Sequence, residues 1–181
     1  MDKQILLSEI AEQIIRCKEC KKETSGKAVT GEGSSNAKIV FIGEAPGHKE
    51  AETGRPFIGR SGQLLRKEIS NIGLDETQIF ITSAVKYLPN RGTPTKTQIR
   101  HGQIHLWKQL EIINPNIIVL LGNSAIEGVL NESMPINKWH GKVLEKDDKK
   151  YFFSFHPAAA LRATKTKKHF IADFAKLKKY L

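Results

Sequence analysis

The residue types that could do chemistry follow short apolar runs. Glu44 comes directly after the apolar run 39–42, within the turn-forming stretch Gly43-Glu44-Ala45-Pro46-Gly47-His48, and His156 follows another run late in the chain. A carboxylate can position or activate water and a histidine can exchange a proton, so together they are typical of a hydrolytic site. The alternative is a pair of ordinary loops, in which the glutamate caps a helix and neighbours satisfy the histidine.

The surroundings of these residues are basic. Lys86 and Arg91 lie in the predicted extended loop 86–95, which has two prolines, and Arg60 follows Gly59 at a predicted helix start, where free backbone N–H groups suit a phosphate. The chain has 29 Lys and Arg against 19 Asp and Glu, a formal net charge of +10. This surplus favours an anionic partner, most often nucleic acid, although a lysine-rich solvated surface is the alternative.

The only two cysteines form one C-x-x-C pair, Cys17 and Cys20. This spacing suits a metal ion or an iron–sulfur cluster better than a structural disulfide. One pair supplies half of a tetrahedral site, so the pair alone does not identify a ligand.

Strands that alternate with helices must position these residues. Apolar runs predict strands at 39–42, 78–85, 116–121 and 150–155, and helical spacing predicts helices at 6–18, 59–72, 97–113, 124–130 and near the C-terminus. A charged turn at 146–149 predicts a hairpin that leads into the last strand. The alternation indicates an α/β fold with a mainly parallel sheet covered on both faces. The strand ends of such a sheet meet at one edge, which would bring the candidate residues together.

Length and composition limit the organisation of the chain. Its 181 residues are enough for one domain with a substantial core, which we expect to span residues 1–181. Its start shows no apolar segment long enough for a signal peptide or a membrane helix. We therefore expect a cytoplasmic monomer that binds no membrane and whose positive charge suits a nucleic acid, such as the DNA of the nucleoid.

The ordered motifs resemble those of the uracil-DNA glycosylase superfamily, in particular its family 4. They are GEAPG at 43–47, TGRPFIGRSGQLL at 53–65, ITSAVKYLPN at 81–90, VLLG at 119–122 and HPAAALR at 156–162. The resemblance implies a three-layer α/β/α sandwich around a four-stranded parallel sheet. It also implies an enzyme that flips a base out of DNA and hydrolyses its N-glycosidic bond.

The resemblance implies roles for individual residues. Glu44 would position or deprotonate the water, His156 would donate a hydrogen bond to the departing base, and Phe57 would stack on that base. The other base-pocket residues would be Gly43, Ala45, Gly47, Ser83 and Asn90. The DNA-binding residues would be Arg60, Ser61, Lys86, Arg91 and a minor-groove loop of Ala160, Leu161 and Arg162.

The chain departs from the family pattern at the cofactor. Family 4 enzymes hold a [4Fe–4S] cluster with four cysteines, but the third position here is Tyr87 and the fourth aligns at or near Gly102. We therefore expect no cofactor, with the C-x-x-C pair left as a remnant of the cluster site. The alternative is a zinc site completed by His101 or His105.

A second departure concerns the base. Ser83 stands where the family usually has an asparagine that reads the edge of uracil, and a hydroxyl offers less reach than an amide. We expect a monofunctional DNA glycosylase of base excision repair that removes uracil or a related deaminated base such as hypoxanthine or xanthine. The alternatives are a non-catalytic, damage-sensing relative that retains the pocket, and covalent capture of the abasic sugar by His156 or another loop nucleophile.

Overall fold

A computed structural model describes residues 2–181. Within these residues there are eight α-helices and eight strands. The helices are α1 (Lys3–Arg16), α2 (His48–Thr53), α3 (Arg60–Asn71), α4 (Lys96–Ile113), α5 (Asn123–Leu130), α6 (Ile136–Trp139), α7 (Pro157–Arg162) and α8 (Thr164–Leu177). The strands are β1 (Thr24–Ser25), β2 (Glu32–Gly33), β3 (Ile39–Gly43), β4 (Ile79–Ser83), β5 (Leu88–Pro89), β6 (Ile117–Leu121), β7 (Val143–Lys146) and β8 (Lys149–Ser154).

Six of the strands form the central sheet, in the order β2-β4-β3-β6-β8-β7. The inner four, β4, β3, β6 and β8, are parallel, whereas the two edge strands pair antiparallel to their neighbours. The predicted α/β class and mainly parallel sheet are confirmed. The predicted count of four describes the parallel strands alone, because β2 and β7 extend the sheet at its edges.

Helices cover both faces of the sheet. Neighbouring residues of β3 point to opposite faces, so Val40 packs with Leu106 of α4 while Phe41 packs with Leu65 of α3 and Phe174 of α8. Burial of each large apolar side chain stabilises the fold by about 1.5–3 kcal/mol. Every residue of β3, β4 and β6 is buried, which explains why these strands are continuous apolar runs.

Two helix starts are fixed by side-chain caps. Helix α1 begins earlier than predicted because Asp2 accepts a hydrogen bond from the backbone N–H of Gln4. Helix α4 begins with a capping box, in which Thr95 and Gln98 each accept a hydrogen bond from the other's backbone N–H. None of the helices in residues 2–181 is long and apolar enough to cross a membrane.

Candidate active site

A pocket of about 240 Å³ opens at the carboxyl edge of the parallel strands. It is smaller than the ~300–1,000 Å³ typical of sites for drug-sized ligands, so its size suits a single nucleobase. Seven of the predicted site residues line it, namely Glu44, Ala45, Gly47, Phe57, Ser61, Ser83 and His156. A larger cavity of about 520 Å³ lies at the opposite, amino-terminal ends of the parallel strands. No described residue that lines it is a histidine or glutamate.

Glu44 is held from its backbone and from its side chain. The carbonyls of Gly43 and Glu44 accept hydrogen bonds from the N–H groups of Ala84 (3.0 Å) and Val85 (3.1 Å), which continues the β3–β4 pairing past the strand ends. Ser124, at the start of α5, donates its hydroxyl to Oε2 of Glu44 at 2.6 Å. The carboxylate therefore has one fixed oxygen. Ser124 was not predicted, and the only sequence signal for it is its place just after a buried strand.

His156 presents a neutral N–H donor to the pocket. Its Nδ1 accepts a hydrogen bond from the backbone N–H of Ala158 at 3.2 Å and so caps α7, which leaves the ring proton on Nε2. Burial, and then the positive charge of Arg162, lowers the pKa of His156 to about 4, although Glu50 opposes this. Within the described part of the chain, the buried Nε2 atom has no hydrogen-bond partner.

Phe57 lies beside His156, with their ring centroids 5.9 Å apart and the planes tilted by 35°. Its φ of +51° is in the left-handed region, where a non-glycine residue costs of order 1–3 kcal/mol. A Cβ atom on Gly43 would lie 2.4 Å from Cζ of Phe57. Glycine at position 43 is therefore needed for the ring to lie across the end of β3.

Two charged side chains hold the strained loop around Phe57. Glu50 is buried, and its Oε1 atom accepts hydrogen bonds from the backbone N–H groups of Ile58 (2.8 Å) and Gly59 (2.7 Å). Arg66 of α3 donates its Nε–H to the carbonyl of Phe57 at 3.0 Å. Sequence reasoning assigned a role to neither side chain, because both act on the backbone of a loop.

Ser83 lies in the pocket and is 4% exposed. Its hydroxyl donates to the carbonyl of Val85 at 2.7 Å, so its single proton is already committed. The serine oxygen can therefore only accept a hydrogen bond from a group bound in the pocket. An asparagine could both donate and accept.

The predicted DNA-binding residues separate into exposed and buried groups. Arg60, Arg91, Leu161 and Arg162 are exposed, and so is Asn90, which lies outside the residues that line the pocket. Leu161 is 40% exposed. It lies on helix α7 and not on the predicted loop.

Lys86 does not fit the predicted DNA contact. It is 1% exposed, and its Nζ donates to Thr82 Oγ1 (2.5 Å) and Gln109 Oε1 (2.7 Å) inside the protein. Burial lowers the pKa of Lys86 to about 7. The sequence suggested a basic loop here, but the β3–β4 pairing continues through Val85 and turns the lysine inward.

Ala160 does not fit the predicted entry into the minor groove. It is 1% exposed and belongs to the core cluster on the α3 and α8 side of the sheet. Helix α7 has one face against this core and one face in solvent. Ala160 lies on the first face, while Leu161 and Arg162 lie on the second.

The prediction that the chain holds no cofactor is wrong. Cys17, Cys20, His101 and His105 come together so that one ligand atom from each lies within 4.8 Å of the others, a group that could hold a metal ion. The Sγ atom of Cys17 is 3.1 Å from Nε2 of His101. Burial raises the pKa of the Cys20 thiol to about 12 and lowers that of His105 to about 4, because it disfavours the charged form of each group.

Several known proteins with similar sequences are named uracil-DNA glycosylases. The profile of the Uracil DNA glycosylase superfamily matches residues 30–178. The type-4 uracil-DNA glycosylase of Archaeoglobus fulgidus is 35% identical over 181 residues, which cover 94% of this chain and 91% of that protein. The enzymes of the same name from Sulfurisphaera tokodaii and Thermotoga maritima are 39% and 33% identical, over 95% and 97% of this chain and 83% and 95% of those proteins. This chain belongs to the uracil-DNA glycosylase superfamily.

Proposed function

We propose that this chain is a monofunctional DNA glycosylase that hydrolyses the N-glycosidic bond of uracil in DNA as a step of base excision repair. The similarity to type-4 uracil-DNA glycosylases over nearly the whole chain supports the reaction. The observation that carries the proposal is the unpartnered Nε2 of His156, beside Phe57 in a base-sized pocket that Glu44 also lines.

His156 stabilises the leaving group. When the N-glycosidic bond breaks, its electron pair stays with the base, and the negative charge spreads onto the carbonyl oxygens of the uracil anion. The neutral Nε2–H of His156 donates a hydrogen bond to one of these oxygens, and burial in the pocket strengthens that bond. A proton taken up by the base then yields free uracil.

Glu44 serves the other half of the reaction. The sugar becomes oxocarbenium-like as the base leaves, and a nearby carboxylate stabilises this positive charge. Glu44 also orients the water whose oxygen bonds to C1′ and accepts a proton from it, leaving an abasic site. The hydroxyl of Ser124 holds one carboxylate oxygen, so the other is available for the water.

Phe57 and Ser83 recognise the flipped base. The phenyl ring offers a stacking surface worth about 1–3 kcal/mol for a base. The Ser83 oxygen accepts a hydrogen bond from the N3–H of uracil, because the hydroxyl proton of Ser83 is already donated to the carbonyl oxygen of Val85. Gly47 stands where family 1 enzymes carry the tyrosine that excludes thymine, so the 5-methyl group must be excluded by other atoms.

The exposed basic residues hold the DNA around the pocket. Arg60 and Arg91 contact phosphates, and Ser61 lines the pocket next to the free N–H groups at the start of α3. Leu161 enters the gap left by the flipped base, and Arg162 forms an ion pair with a neighbouring phosphate of the DNA backbone. We also propose that the protein is a monomer with one domain over residues 1–181, and that its basic surface associates it with the DNA of the nucleoid.

The test is a substrate panel under single-turnover conditions. Oligonucleotides that contain uracil, hypoxanthine, xanthine or no lesion are incubated with excess protein in low salt, and abasic sites are revealed by alkaline cleavage. We expect uracil to be removed fastest and the undamaged strand to stay intact. Removal of hypoxanthine or xanthine alone would reject uracil as the substrate, and tight binding of uracil DNA without cleavage would identify a non-catalytic relative.

A further inference from the structure

Four side chains that the proposed hydrolysis does not use meet between the end of α1 and one face of α4. Cys17 and Cys20 flank the turn after α1, and His101 and His105 lie one helical turn apart on α4. Their ligand atoms all lie within 4.8 Å of one another. Both ring nitrogens of His105 are buried, and neither has a hydrogen-bond partner among residues 2–181. A buried imidazole without partners is costly, and a bound cation would remove this cost.

These donors do not fit the cluster that the family resemblance implies. A [4Fe–4S] cluster takes four thiolates on four different irons, which spreads its ligands apart. At the position of the third cysteine, Tyr87 donates its hydroxyl to the carbonyl of Ile15 at 3.3 Å. Gly102 cannot carry the fourth, because a Cβ atom there would lie 2.2 Å from the carbonyl oxygen of Ala84. Its neighbour His101 faces the cysteines instead.

We propose that Cys17, Cys20, His101 and His105 bind one zinc ion with tetrahedral geometry, in place of an iron–sulfur cluster. The C-x-x-C and H-x-x-x-H spacings are those of Cys₂His₂ zinc sites. Bonds of about 2.3 Å to sulfur and 2.0–2.1 Å to nitrogen put the ligand atoms of tetrahedral zinc roughly 3.3–3.8 Å apart, so small side-chain shifts suffice. The backbone N–H of Cys20 already points to Sγ of Cys17 at 3.4 Å, as ligating thiolates require.

The zinc stabilises a segment that supports the pocket. Just after the cysteines, the carbonyl of Glu23 accepts a hydrogen bond from the N–H of Asn90 at 2.9 Å, and β1 pairs with β5. Leu88 of β5 lines the pocket. The ion therefore links α1 to α4 and holds the segment 86–91 in place, without touching the reacting atoms.

The metal content of the purified full chain tests this proposal without any activity assay, so its outcome is separate from that of the proposed function. We expect about one zinc per chain by elemental analysis and no acid-labile sulfide. Replacement of zinc by cobalt should produce the intense visible bands of tetrahedral Co²⁺ and a thiolate charge-transfer band. Removal of zinc with a chelator should lower the Tm by about 10 °C, because a ligand bound only to the folded state stabilises it.

Variants separate these ligands from their neighbours. His105→Ala and Cys17→Ser should lose most of the zinc and the cobalt bands, whereas Arg100→Ala, exposed on the same helix, should keep both. If a ligand variant does not fold, chelation of the wild-type chain and titration with Co²⁺ give the same information. Four irons with sulfide would overturn the proposal, as would a chain from zinc-supplemented culture that carries no zinc and shows no cobalt spectrum.

Discussion

At the scale of single residues, the hydroxyl of Ser124 determines the direction of the Glu44 carboxylate. The 2.6 Å hydrogen bond joins the loop after β3 to the start of α5, which follows β6. Sequence motifs identified Glu44, but they could not identify its partner, because the contact spans 80 positions of the chain. Ser124 is a positioning residue, since it acts through Glu44.

Ser124→Ala should reduce the rate of uracil excision. Loss of a hydrogen bond to a charged group costs about 1.5–3 kcal/mol, which corresponds to a fall in the single-turnover rate of at least about tenfold. We expect the Kd for uracil-containing DNA to stay unchanged, because the carboxylate itself remains. Recovery of most of the rate by Ser124→Thr would support positioning, whereas a matching loss of DNA affinity would contradict it.

The lowered pKa of His156 has a consequence for the pH dependence of stability. In the unfolded chain this imidazole takes up a proton near pH 6.5, but in the folded chain it does so only near pH 4. Its contribution to stability is therefore complete above pH 6.5 and declines as the pH falls from 6.5 to 4, by about 1.4 kcal/mol per pH unit at most. Urea unfolding of the wild type and of His156→Asn, which retains a capping side chain, measures this difference.

His156→Asn should lose less stability than the wild type between pH 6.5 and 4. The single-turnover excision rate of the wild type should also show no step near pH 6.5, because His156 is already neutral there. A rate that falls as the pH rises through 6.5, with no such fall in His156→Asn, would mean that the imidazole works in its protonated form and would contradict the proposed role.

At the scale of elements, the loop between α2 and α3 depends on Glu50. Its carboxylate accepts two backbone hydrogen bonds from residues that follow Phe57, and so keeps the strained conformation of that residue. The loop contributes one wall of the pocket, so the position of the phenyl ring depends on a side chain that acts through the backbone of the loop.

Glu50→Ala should destabilise the protein by about 3 kcal/mol, because it leaves two N–H groups of the loop without an acceptor. For a chain of this size, that corresponds to a fall in Tm of about 6–12 °C. Glu52→Ala, exposed on the same short helix, is the matched control and should change the Tm little. A Glu50→Ala variant as stable as the control would show that the loop holds its conformation without the carboxylate.

The elements themselves follow from simple patterns. The apolar runs predicted the four parallel strands, because burial on both faces requires continuous apolar sequence, and the charged turn predicted the β7–β8 hairpin. The edge strand β2 was missed because it has two residues, within a stretch that reads as a polar loop. The errors at Lys86 and Ala160 have a common cause: each lies in a segment with an exposed side, and only tertiary packing shows which side a residue occupies.

At the scale of the whole molecule, the surplus of positive charge should dominate DNA binding. For about four neutralised phosphates, raising the salt from about 50 to about 200 mM should weaken binding on the order of a hundredfold. Arg91→Ala should make this salt dependence less steep. Leu161→Ala should leave the dependence on salt unchanged but slow excision from double-stranded DNA more than from single strands. Fluorescence anisotropy and single-turnover assays measure these quantities, and a salt-independent Kd would contradict a phosphate-binding surface.

The metal site shows where sequence reasoning meets its limit. The C-x-x-C pair indicated a metal or cluster, and comparison with the four-cysteine pattern then suggested that its partners were lost. The partners lie on α4, 84 positions from Cys17 in the case of His101, so their approach depends on how α1 packs against α4. His101 and His105, which the sequence offered only as an alternative, lie beside the cysteines as candidate ligands once the helices are placed.

The most direct test of the central claim is the release of free uracil from a uracil-containing strand by the wild type, His156→Ala and Arg100→Ala under single-turnover conditions. We expect the wild type and Arg100→Ala to release uracil at equal rates, and His156→Ala to be slower by about 10²–10³-fold, because a donor to the departing anion is lost. A His156→Ala chain that folds and releases uracil as fast as the wild type would contradict the account of this site.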